Sequence, residues 1–316
     1  MARTGDIRQQ VESEAYRRGR LAVPAFGGGF LYLLSTIVIS ETLNGAPTVG
    51  VLQGLAPAFS GISSPPVSPR APEVKFISHH AFPLIAGSVL AAIALGALVL
   101  VLALVLDAVV FRRPQTWPHA KRLLVAGGGT FASVSVVHQV VSAIQTHDFA
   151  TGHDLSSHAV DRALTTGTAN VVVEYIDLLA GLAFAAAIII VMVNALRTGL
   201  VPRWMGILGM FTGLLLFLPI GGAELQVVPA LWLVMMGVLY AGKWPGGEPP
   251  AWEAGEARPW PSGAQMRAER AAARGGGKPA RATAGASGSG RELPPEPAKP
   301  VVKATSRKRR KRGGRA

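Results

Sequence analysis

Cysteine is missing altogether from the 316 residues. That excludes disulfides, thiolate nucleophiles, iron–sulfur clusters and Cys-ligated zinc. Charge is scarce, at 16% of residues, against roughly 25% in an ordinary soluble domain. Acidic residues are the scarcer kind, 18 against 31 Lys and Arg, for a net charge of +13. No HExxH pair occurs, and Gly127–Gly129 lack the Lys-Ser/Thr ending of a phosphate loop. The motifs of a zinc protease and of a P-loop nucleotide site are therefore both missing.

Apolar sequence dominates instead, with 49% hydrophobic residues and a mean hydropathy of +0.35. Its distribution is uneven. Residues 21–241 are mostly apolar, whereas 242–316 are polar, Pro, Gly and Ala. From Gly242 onward there are 17 Lys and Arg against 6 acids, so most of the net charge belongs to this extension. A pI near 10.8 thus reports a tail and not a nucleic-acid-binding fold, and nucleic acid is not the expected partner.

In hydrocarbon every backbone polar group must be satisfied within its own segment, so long apolar runs are helices of about 20 residues. The sequence predicts an all-α membrane protein of six transmembrane helices, at about 21–43, 81–111, 123–145, 170–196, 204–220 and 227–240. The first follows Arg17, Arg18 and Arg20 without a clear small-x-small cleavage site, and reads as an uncleaved signal anchor. The last two are short and form a hairpin turning at Gly221, Gly222 and Glu224. Residues 1–20 form a basic N-terminus, and 242–316 a disordered basic tail too poor in large apolar residues to fold.

Basic residues lie overwhelmingly on one side of this arrangement, including Arg112, Arg113, Lys121, Arg122, Arg197 and Arg203, whereas Arg70, Lys75 and Arg162 fall on the other. The positive-inside rule then places both termini in the cytoplasm of a plasma-membrane protein. The segment 44–78, with Ser64, Pro65, Pro66, Ser68, Pro69 and Pro72, reads as an irregular outer loop. Trp117, Trp204, Trp244 and Tyr240 read as inner-interface anchors, and Asp107 as the partner of Arg112 and Arg113.

Two stretches, RRGRLAVPAFGGGFLYLLSTIVI and NALRTGLVPRWMGILGMFTGLLL, resemble an uncharacterised family of small bacterial multi-pass membrane proteins. Gly29, Tyr32, Leu33 and Leu34 carry the first likeness; Arg197, Gly199, Pro202, Arg203, Trp204 and Gly206 carry the second. The resemblance implies topology and bacterial origin, and no activity.

Ionisable groups inside spans are functional candidates by default. Glu174 and Asp177 share a helix face at i,i+3 spacing, and His138 and Gln139 lie in the outer half of the third span. These four form a candidate intramembrane polar site, competent in principle to bind a cation or relay protons; interhelical hydrogen bonding is the plainer reading of His138 and Gln139. His147, His153, His158 and Asp154 crowd the second outer loop and suit a divalent transition metal by type, although no established ligand spacing is present. His80 and His138 sit at depths differing by roughly 10 Å at the rise of a helix, which disfavours bis-His haem, and no cofactor is expected. Arg307, Lys308, Arg309, Arg310, Lys311 and Arg312 form a run able to contact anionic lipid headgroups. Gly209 and Gly213 read as close helix packing.

Three functions follow in order. The first is a non-enzymatic multi-pass protein. The second is a small transporter or cation-handling permease using Glu174, Asp177 and His138. The third is a membrane-embedded metal-dependent enzyme. The lipid bilayer is the expected partner, and a homo-oligomer is compatible with the sequence.

Overall fold

The computed structural model describes residues 2–50, 59, 61, 67–218, 225–245, 247–260 and 267. The chain forms two units, residues 1–262 and 263–316, and only Arg267 of the second is described. Every regular element in the described residues is helical: α1 (Ala2–Asn44), α2 (Ala71–His79), α3 (Ala81–Arg112), α4 (Ala120–Thr151), α5 (Ser157–Asp161), a π-helical turn (Arg162–Thr166), α6 (Thr168–Thr198), α7 (Arg203–Phe217), α8 (Val227–Tyr240) and α9 (Pro250–Ala254). Four of them, α1, α3, α4 and α6 (continuous with α5 and the π turn), are long and apolar enough to cross a membrane.

The helices close into a ring in the order α1, α3, α4, α6, α7, α8 and back to α1, with α3 and α6 also touching across it. Small residues set the close approaches. A Cβ on Gly28 of α1 would lie 2.7 Å from Ala97 Cβ of α3, and one on Gly87 of α3 would lie 2.6 Å from Ile39 of α1, so the two run antiparallel. Gly209 and Gly213 of α7 pack on Met192 and Ile188 of α6, as the GxxxG spacing predicts. Within the glycine triplet of α4, Gly127 and Gly128 abut Phe184, and Gly129 faces open space.

The predicted fifth and sixth spans appear as α7 and α8, within three residues of their expected bounds. With 15 and 14 residues, α7 and α8 are only about 22 Å long, short of the roughly 30 Å of a hydrocarbon core. Phe217, the last residue of α7, lies beside Gly181 of α6. Gln226, just before α8, accepts a hydrogen bond from Tyr32 of α1 at 2.8 Å. Beyond these levels α6 and α1 each continue for about 18–20 Å, to Thr168 and Asn44. The pair therefore ends partway up the bundle. The expected turn at Gly221, Gly222 and Glu224 lies outside the described residues.

Three further expectations are corrected. The outer segment 44–78 is not wholly irregular, because Pro72 sits in the first turn of α2, where a missing N–H costs nothing. Ala71 and Val74 of that helix join Phe149, Val160 and Ala163 in a small separate core. Helix α4 runs to Thr151, six residues past the predicted boundary, and carries His147 and Asp148 with it. The basic N-terminus is a helix continuous with the first span, with Pro24 leaving the Arg20 carbonyl without its helical donor.

The tail also begins later than Gly242. Residues 242–260 fold back on the basic end of the bundle around Trp252, which is buried and donates from Nε1 to the Leu200 carbonyl at 2.9 Å. The guanidinium groups of Arg18 and Arg112 lie 4.6 and 5.3 Å from its ring centre. Arg112 is paired to Glu14 through two hydrogen bonds of 2.8 and 3.0 Å, and its Nε donates to the Ala251 carbonyl. Asp107 instead bridges Arg17 and Lys121, at 3.0 and 2.7 Å, not Arg112 or Arg113. Tyr240 is not an interface anchor either; it is buried, with its hydroxyl donating to the Val101 carbonyl. Apart from Arg267, residues beyond 260 lie outside the described residues, and with them Arg307–Arg312.

Candidate functional site

A cavity of about 560 Å³ opens between α1, α3 and α4 beside the described ends of α7 and α8. Helix α1 supplies Tyr32, Ser35, Thr36, Ser40 and Asn44 to its wall. Apart from the adjacent pair Ser35 and Thr36, they follow one another at three or four residues, which puts them along one broad face. Helix α3 contributes Ala91 and Leu95, α4 contributes Phe131 and Ser135, and Leu216 and Gln226 stand at the tips of the short helices. Among the described residues the polar lining consists of hydroxyls and amides, with no charged side chain. Several already have local partners: Ser35 donates to the Gly87 carbonyl, Thr36 to that of Tyr32, and Ser135 to that of Phe131. A hydroxyl that donates this way keeps lone pairs for a ligand donor. Below the tips, Leu95, Leu98, Val101, Leu102 and Leu233 belong to a continuous apolar core, so the polar space stops there.

The intramembrane quartet assembles only in part. Helices α4 and α6 are neighbours, and the facing of Gly181 to Phe131 sets an antiparallel register that brings His138 level with Glu174. His138 acts electrostatically on Asp177. One carboxylate oxygen of Asp177, Oδ1, is enclosed without a hydrogen-bond partner. One helical turn on, Gly181 faces Phe131 and Phe217, which puts Asp177 on the α6 stripe just above the α7 tip. Glu174 is exposed and Gln139 half-buried. No hydrogen bond from His138 or Gln139 crosses to α6. The polar contact between these helices is made elsewhere: with its amide oriented to suit its neighbours, Gln145 donates to the carbonyls of Arg162 and Ala163 (3.2 and 3.3 Å) and to Asn170 Oδ1 (3.3 Å).

The metal candidates are not brought together. Among the described residues no three His, Asp or Glu side chains form a group able to hold a metal ion. His147 is exposed near the end of α4, and His158 pairs with Arg162 on one helical turn at 3.3 Å. Asp154 accepts from the Ser156 backbone N–H at 3.0 Å, closing a turn ahead of α5. These bonds from Ser156 hold the Asp154 carboxyl below its ordinary range, so it is anionic at neutral pH and committed to the turn. His153 and Asp154 share a 410 Å³ surface cavity with Gln145, Asp148 and Arg162, but as a surface cap and not a coordination sphere.

Sequence reasoning missed the cavity residues as a group. Tyr32 stood out only through the family likeness. The available signal was the recurrence of Tyr32, Ser35, Thr36 and Ser40 on one face of an otherwise apolar span. Gln226 carried no signal, since its role depends on where α8 begins. No family model, curated protein or solved structure matches the chain.

Proposed function

We propose that this chain is a small permease-class membrane protein whose polar cavity receives a small, uncharged, hydrogen-bonding solute. The observation that carries the reading is the cavity itself: hydroxyls and amides from α1, α4 and the start of α8 line one space between largely apolar helices. Polar groups inside a span are costly and are retained where they line a water-filled path or bind a ligand. The described polar lining is of hydroxyls and amides, which suit a neutral hydrogen-bonding solute, and the volume lies within the usual range for small-molecule sites. In this reading α1, α3, α4 and α6 cross the membrane, and α7 and α8 form a re-entrant pair entering from the basic side. Half-helices ending at mid-depth are a recurrent way of building such sites. The six-crossing alternative gives the same parity, so both place the termini together, in the cytoplasm of a plasma-membrane protein by the positive-inside rule. Asp177 and His138 adjoin the cavity and would tune it. Membership of the bacterial family resembled by the first span and the α6–α7 connection belongs to this proposal.

Osmotic swelling of proteoliposomes across a series of neutral amides and polyols is the test. At least one solute is expected to enter faster than into protein-free vesicles. Thr36→Leu with Ser135→Leu, which fill the cavity with apolar atoms, should cut the protein-dependent rate by about tenfold, the loss of roughly 1.4 kcal/mol. Rates equal to those of empty vesicles for every solute would retire the proposal.

A further inference from the structure

At the basic end, the α6–α7 connection and the segment following α8 meet through aromatic and basic side chains. Trp204, 51% exposed, stacks on Trp244 with ring centres 5.7 Å apart. Arg203 precedes Trp204 and donates from Nη2 to the Trp260 carbonyl at 3.2 Å. Lys243 precedes Trp244, and Arg197 closes α6 one short turn before Arg203. Among the described residues, none of Arg197, Arg203 and Lys243 is in an ion pair, although five pairs form elsewhere. The Trp260 indole Nε1–H is buried with no acceptor. The patch is thus positively charged and faced with indole.

We infer that this patch is a headgroup site for an anionic phospholipid of the leaflet on the basic side. A phosphate supplies a counter-charge for Arg203, Lys243 and Arg197, which have no acidic partner among the described residues, and guanidinium and ammonium groups are its ordinary partners. Indole rings favour the headgroup level, so the stacked pair would lie along the glycerol and upper acyl region. A lipid fits better than free phosphate, because the exposed Trp204 face needs an apolar neighbour that an inorganic ion cannot supply. The inference rests on membrane insertion and is independent of the cavity.

Tryptophan quenching by dibrominated lipids tests it on the full-length protein in mixed vesicles. In the wild type, brominated phosphatidylglycerol is expected to displace phosphatidylcholine with a relative affinity well above one. Each basic residue near an anionic surface contributes about a factor of five, so Arg203→Gln with Lys243→Gln should bring the ratio close to one. Replacing Arg307–Arg312 by Ser should leave it unchanged. A wild-type ratio of one, an unaltered ratio in the double variant, or a loss that follows the tail replacement instead would each overturn the assignment. Wild-type fluorescence changing equally with free inorganic phosphate in neutral vesicles would show a soluble anion site and reject the lipid.

Discussion

Glu14→Ala is expected to destabilise the protein by about 3–5 kcal/mol, the usual cost of stranding one partner of a buried ion pair. The Arg112 and Glu14 side chains are 0% and 1% exposed, so solvent screens their attraction little. Removing Glu14 leaves Arg112 with the Ala108 and Ala251 carbonyls and the Trp252 face, and no counter-charge. Replacing both residues by Met should restore most of the loss, since a buried pair contributes little over a well-packed apolar substitute. Unfolding in mixed micelles with increasing dodecyl sulfate reads both effects. Equal midpoints for Glu14→Ala and wild type, or a double variant as unstable as the single, would show that the pair is solvated. The loss should also release residues 242–260, because Arg112 joins α1, α3 and α9 at one point, and protease cleavage near Trp252 should rise with it.

The second large effect separates two glycines two residues apart. A Cβ on Gly29 would lie 2.8 Å from the Ala230 carbonyl oxygen and 3.2 Å from the Val234 nitrogen. Both are backbone atoms of α8 and cannot rotate away. Gly29→Val should therefore push α8 off α1 and cost about 3 kcal/mol, at the upper end of ordinary overpacking. Gly27 has nothing within 4 Å of its Cβ position. Gly27→Ala should be neutral or stabilising by up to about 1 kcal/mol through helix propensity. The same detergent titration orders the variants, and a Gly29→Val protein as stable as Gly27→Ala would reject the α1–α8 contact. The Gly29 variant should also lose the Tyr32–Gln226 bond, since the displaced helix carries Gln226 with it.

The long apolar runs were legible because hydrophobicity over 20 residues is a local property. The spans at 81–111 and 170–196 agree with α3 and α6 to within two residues at each end. What was not legible depends on partners distant in sequence. Asp107 and Arg112 look like neighbours along one helix, yet their partners are Arg17, Lys121 and Glu14, supplied by helices that the fold brings alongside. Trp252 sits in a stretch of Pro, Gly and Glu whose composition reads as unstructured; the two guanidinium faces, the Tyr240 ring and the Leu200 carbonyl give it a place. The helical extension before the first span is a similar case, since Glu14, Arg17 and Arg18 find their partners on α3 and α9. The cavity escaped notice because it lies between helices distant in sequence. The histidines were conspicuous by number, and geometry disperses them.

The native absence of cysteine makes the central claim, that α1, α3, α4 and α6 each cross the membrane with the basic end of the bundle inside the cell, directly measurable. Single cysteines at Val49, His153, Gln115 and Lys243 would be exposed to a membrane-impermeant maleimide in intact cells and again after permeabilisation. Labelling at 49 and 153 in intact cells, with 115 and 243 reacting only once the membrane is opened, is the predicted pattern. Reaction of 115 or 243 in intact cells, or protection of 49 and 153, would contradict it.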